Sequence, residues 1–171
     1  MCSFLIPELP EPLFRDTPNL QLIDFSGNEI AALPPKLFSK LYKVEKLRFI
    51  ANNLTNLDEK IFTDLESLKV FHFQENQLKS LPNQIFAANK ELEEINLTSN
   101  QIEFDFQNEF TKGATFQKLK ICHLANNNIS YIPDGLKYNA LKLEILNLSR
   151  NFITKNTAGV LEVKINCCQL I

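Results

Sequence analysis

Apolar side chains recur along this chain in one four-position frame, repeated at long intervals. Leu20, Ile23, Phe25 and Ile30 surround Asn28, and Val44, Leu47, Phe49 and Leu54 surround Asn52. The frame returns as Leu68, Phe71, Phe73 and Leu78 around Asn76, then as Leu92, Ile95, Leu97 and Ile102 around Asn100. Leu119, Cys122, Leu124 and Ile129 repeat it around Asn127, and Leu143, Leu146, Leu148 and Ile153 around Asn151. The first four Asn are 24 residues apart, the next follows after 27 and the last after 24. Six registers of LxxLxLxxNxL predict a repeat architecture. The LxL core predicts a short strand, because alternate side chains then share one inward face. Strands are expected near 22–26, 46–50, 70–74, 94–98, 121–125 and 145–149, stacked in parallel roughly 4.8 Å apart. Six repeats thus fill 20–153. Residues 1–19 read as the back half of a repeat, and 154–171 as the tail of the last repeat and the start of a seventh.

The Asn residues mark where each coil leaves the sheet. An amide side chain has two donors and an acceptor, enough to satisfy main-chain groups that a bend leaves unpaired. Asn28, Asn52, Asn76, Asn100, Asn127 and Asn151 are therefore expected to form a structural ladder. Leu33-Pro34, Leu81-Pro82 and Ile132-Pro133 share a later frame position, where Pro disfavours entry into a regular helix. Phe14, Phe38, Phe62, Phe86 and Phe110 come next, again 24 apart, and predict an aromatic spine on the side away from the sheet. The 27-residue interval arises from three extra residues between Phe110 and Leu119, expected as a surface bulge.

Together the repeat reads LxxLxLxxNxLxxLPxxLFxxL and resembles the 24-residue typical class of leucine-rich repeats. That class includes Toll-like receptor ectodomains and secreted insect-type proteins. The resemblance covers nearly the whole chain. It implies an α/β-type solenoid, a horseshoe segment with a parallel sheet on its concave face and irregular or short helical turns on its convex face. It also implies a non-catalytic module that binds a protein or glycoprotein on the concave sheet, in extracellular recognition such as innate immunity or adhesion. An intracellular scaffold or regulatory subunit is the alternative. Secreted members of the class close their ends with cysteine-bearing caps, whereas Cys2 and Cys167 would lie at opposite ends of this rod. The start Met-Cys-Ser-Phe-Leu-Ile-Pro-Glu lacks the basic and apolar regions of a signal peptide. The expectation is a piece of a longer secreted or cell-surface protein.

Charge and composition narrow the function. Eighteen basic and twenty acidic residues give a net charge of -2, without the basic excess of a general nucleic-acid binder. No nucleic-acid partner is expected, and no apolar run reaches the length of a membrane span. Four Gly leave little room for phosphate-cradling loops, and no GxSxG, HExxH, CxxC or dinucleotide motif occurs. No enzyme, cofactor or metal is expected.

The outward strand positions are the candidate binding surface. One column reads Asp24, Arg48, His72, Asn96, His123 and Asn147, and the column before it Leu22, Lys46, Val70, Glu94, Ile121 and Ile145. The face reads as cationic near Lys46, Arg48 and Lys69, acidic near Glu93 and Glu94, and apolar toward Ile121 and Ile145. Such a mixture suits a protein partner. Glu93 and Glu94 are expected to point to opposite sides or edges of their strand. His72 and His123 sit two strands apart, roughly 10 Å, with the amide of Asn96 between them; zinc requires three or four ligands. Sequons begin at Asn53, Asn96, Asn128 and Asn147. Asn53 and Asn128 are expected at an accessible sheet edge, whereas Asn96 and Asn147 would carry sugar on the concave face. Cys122 fills an inward position as a small hydrophobe. Cys168-Gln-Leu-Ile is similar to a prenylation box, but Gln is not aliphatic and the segment fits the repeat register.

Overall fold

A computed structural model describes residues 5–104, 111, 114–132, 136 and 139–153. Phe110, Pro133, Cys2, Cys167 and Cys168, with Lys112 and Gly113 of the expected bulge, lie outside the described residues. Six strands form one parallel sheet in chain order: β1 (Leu22–Asp24), β2 (Lys46–Arg48), β3 (Val70–His72), β4 (Glu94–Asn96), β5 (Ile121–His123) and β6 (Ile145–Asn147). A 3-10 turn, Glu11–Phe14, precedes them. Register is constant across the sheet, with Ile23, Leu47, Phe71, Ile95, Cys122 and Leu146 forming the inward row. The chain is thus a solenoid with a parallel concave sheet.

Each strand is three residues long, shorter than the five outlined from the pattern. The coil leaves the sheet at the residue before each ladder Asn. Gly27 has φ 71°, and Ala51, Glu75, Ser99, Asn126 and Arg150 also occupy the left-handed region, with φ between 53° and 59°. This kink turns the chain off the sheet. Parallel pairing persists up to it through Phe25 N to Arg48 O and Gly27 N to Ile50 O, a pattern repeated in the later coils. Only the first of these positions is Gly. The other five carry a Cβ in a conformation costing about 1–2 kcal/mol each.

On the convex side of the coils between β1 and β4, the chain runs through consecutive turns. Leu37 N bonds Pro34 O, Ile61 N bonds Asp58 O and Ile85 N bonds Pro82 O, all three-residue closures. The interior between the two sides is one continuous cluster of buried apolar side chains. Its aromatic part is two columns deep. Phe14, Phe38, Phe62 and Phe86 stack at centroid distances of 6.2, 6.0 and 6.1 Å. Behind the strands Phe25, Phe49 and Phe73 form a second column at 5.6 and 5.2 Å. Edge-on contacts Phe38–Phe49 and Phe62–Phe73 lock the columns together. Such geometry adds about 1 kcal/mol per pair beyond burial.

Candidate functional site

The ladder fixes where the concave surface can be. Asn52, Asn76, Asn100 and Asn127 are buried, and Asn28 and Asn151, the outermost rungs, are half-buried. Each amide works in two directions. Asn76 Nδ2 donates to Phe49 O of the preceding coil at 2.8 Å and to Phe73 O of its own coil at 3.1 Å. Its Oδ1 accepts the Leu54 amide of the preceding coil at 3.1 Å. Asn52, Asn100, Asn127 and Asn151 repeat the scheme onto Ile30, Leu78, Ile102 and Ile129, and Asn28 accepts the Ile6 amide. These bonds staple successive coils, hold the strands in register, and commit the Asn side chains to the inside.

What faces outward is the opposite side of the same strands. The row Asp24, Arg48, His72, Asn96, His123, Asn147 and the row Leu22, Lys46, Val70, Glu94, Ile121, Ile145 run straight across the sheet, strand to strand. Their side chains are half-buried or exposed, none fully covered. A shallow depression crosses β2 to β5, lined by Lys46, Lys69, Val70, Glu93, Glu94, Lys120 and Ile121.

The charges on this face are mostly paired sideways, from coil to coil, which changes the reading of a cationic zone. Arg48 Nη1 lies 3.6 Å from Asp24, and Lys69 Nζ 3.0 Å from Glu45. The reason is a column of alternating sign just before the strands, Glu45, Lys69, Glu93, Lys120, Glu144, in which Lys120 also pairs with Glu93 at 3.2 Å. Lys46 has no ion pair among the described residues. Glu93 and Glu94, expected on opposite sides, both line the depression. Glu93 precedes β4, so strand alternation does not apply to it; Glu94 is the first strand residue, and its Oε1 accepts from His72 Nε2 at 2.9 Å.

Asp24, Asn96 and Asn147 share a local device: each Oδ1 accepts the amide two residues on, Ser26, Thr98 and Ser149, at 3.0, 3.1 and 3.1 Å. Burial pushes the Asp24 carboxyl upward, but its bonds to Ser26 and the Arg48 guanidinium outweigh that and hold it below the usual carboxylate range. Of the sequon residues, Asn53 and Asn128 are exposed and Asn96 and Asn147 half-buried on the concave face. Cys122 is fully enclosed, and burial pushes its thiol up to about 12. No group of three metal-ligating side chains occurs among the described residues. No helix among the described residues is long and apolar enough to cross a membrane.

Sequence reasoning missed two interior features. Asn89 occupies the column of Leu41 and Leu65, is buried, and donates to Phe62 O and Leu65 O at 3.0 and 2.8 Å, a second staple on the convex side. An amide in an otherwise apolar column was the available signal. The second Phe column was visible as frame residues, but its stacking was not.

Family models described as leucine rich repeat match residues 44–102 and 19–41. No curated protein sequence matches the chain significantly. Among solved structures, the chain is similar to TLR13 in a complex with a single-stranded RNA, at 24% identity and TM-score 0.78, over 91% of this chain and 22% of that one. It is also similar to a chain of the Toll–Spatzle complex, described as a molecular hub in Drosophila development and innate immunity, at 26% identity and TM-score 0.80, over 86% of this chain and 21% of that one. The chain spans about a fifth of the length of either relative.

Proposed function

Because the chain is a leucine-rich repeat protein whose coil resembles Toll-like ectodomains, we propose that it is a non-catalytic recognition module. Its concave sheet engages a protein or glycoprotein ligand outside the cell. One observation carries this reading: two straight rows of outward side chains lie open across six strands, while the other side of the same strands is sealed core. Mixed polar, charged and aliphatic residues on an open sheet suit protein complementarity. They do not suit chemistry that needs an enclosed, water-poor cavity. Asp24, Arg48, Lys46, Lys69, His72, Glu94, Asn96, Ile121, His123 and Asn147 form the contact surface. Glycans at Asn53 and Asn128 leave that surface open; those at Asn96 and Asn147 would mask it.

The similar structures are complexes with Spatzle and with a single-stranded RNA, two ligand classes on this fold. The near-neutral charge disfavours a nucleic-acid partner, and RNA is tested beside protein. The test is a binding screen of the folded chain against secreted and cell-surface proteins, with single-stranded RNA beside them. A protein ligand released by Arg48→Glu and His72→Ala, and retained by the convex Glu59→Lys, is the expected result. A ligand indifferent to the concave changes contradicts the reading, as does salt-sensitive RNA binding with no protein ligand.

A further inference from the structure

Resting on the concave-face reading, the geometry points to a narrower partner: we infer that the depression over β2–β5 takes an extended protein segment bearing a carboxylate and, four residues further along, an aliphatic or aromatic side chain. The two ends of the depression differ in kind. At the β2 end stands Lys46, exposed and without an ion pair among the described residues, whereas Lys69 and Lys120, the other two cations of the lining, are held by Glu45 and Glu93. An incoming carboxylate therefore meets one unspent ammonium there, with the Arg48 guanidinium beside it on the same strand. Arg48 is only loosely held, its Nη1 3.6 Å from Asp24.

At the β5 end the lining is Ile121, and its register neighbour on β6 is Ile145, 37% exposed. These two aliphatic side chains make the apolar seat. Between the ends Glu94 is engaged by His72 and repels a second acid in the middle of the segment. Lys46 on β2 and Ile121 on β5 are three strand spacings apart, roughly 14 Å across the sheet. An extended chain advances about 3.4 Å per residue and returns a side chain to the same face every second residue. Four residues span the distance with both side chains facing the sheet. A polyanion fits worse: it would meet a single unpaired lysine and the carboxylates of Glu93 and Glu94.

The test pans short random peptides displayed on phage against the folded chain and measures selected peptides, and a single-stranded RNA, by fluorescence anisotropy. The expected winners carry Asp or Glu four residues from Leu, Ile or Phe. Their affinity falls at least tenfold in Lys46→Glu and in Ile145→Asp, both surface changes, and is unchanged in the convex Lys60→Glu. Peptides that lack the acid, or that lose affinity in Asn147→Arg but not in Lys46→Glu, overturn this inference and leave the concave reading standing. No enrichment, or binding indifferent to every concave change, overturns both. RNA bound more tightly than peptide and released by Lys46→Glu also overturns the inference.

Discussion

Replacing Asn76 by Leu isolates what the ladder contributes. Asn76 is 7% exposed, and its three main partners, Phe49 O, Phe73 O and the Leu54 amide, belong to residues that are 0% exposed. Water cannot reach these groups, so the variant orphans the Leu54 N–H and Phe49 O, while Phe73 O keeps its bond from Asn100 Nδ2 at 3.0 Å. An orphaned buried polar group costs about 1–3 kcal/mol. The carbonyl relaxes in part, and the added leucine recovers some apolar burial, so a net loss of about 3 kcal/mol is expected. At roughly 2–4 °C per kcal/mol for a chain of this size, the thermal midpoint falls by roughly 6–12 °C, read by circular dichroism. Hydrogen exchange adds a residue-specific reading: the Leu54 amide, protected in the parent, exchanges early in the variant. Asn53→Leu, one position after the ladder residue Asn52 and exposed, serves as control and shifts stability by no more than about 0.5 kcal/mol. Equal effects of the two substitutions, or an unchanged Leu54 amide in Asn76→Leu, refute the reasoning.

Other consequences follow from the same geometry. Phe62 touches Phe38, Phe71, Phe73 and Phe86, so Phe62→Ala should cost about 3–5 kcal/mol in denaturant unfolding, and the half-buried Phe14→Ala clearly less. Cys122, with its thiol pushed up to about 12, should resist iodoacetamide at mildly alkaline pH in the folded chain and react fully once unfolded, read by peptide mapping. Asp24 has a depressed pKa in the folded state, so its contribution is complete above its unfolded value, about 3.9, and is lost as pH falls through the lower folded value. Asp24→Asn should therefore lower the thermal midpoint slightly at neutral pH, with the difference from the parent shrinking as pH falls below about 4. A difference that grows on acidification contradicts the assignment.

Much of this fold could be read in advance because a solenoid turns periodicity into geometry. Once Asn28 to Asn151 were in frame, the inward row from Ile23 to Leu146 and the outward row from Asp24 to Asn147 followed, because parallel strands in constant register keep equivalent positions adjacent. The strand ends were hidden. Ala51, Glu75 and Arg150 adopt positive φ with no Gly to announce it, under constraint from the coil on either side. The site was less legible than the scaffold. Counting charges suggested a cationic zone, but each charge was weighed alone, whereas Glu45, Lys69, Glu93 and Lys120 act on the next coil. Their alternating sign was in the sequence at repeat spacing; only its lateral pairing needed coordinates.

The face that holds the ligand decides between the concave sheet and the convex turns. Photo-crosslinking compares the two: a benzophenone amino acid placed singly at Asp24, His72 or Asn147 on the sheet, and at Glu59 or Lys60 on the convex turns, irradiated with a bound protein ligand. Adducts from the three sheet positions and none from the turns are predicted. Adducts from Glu59 or Lys60 with a silent sheet would contradict the claim that this chain recognises its partner through the concave surface.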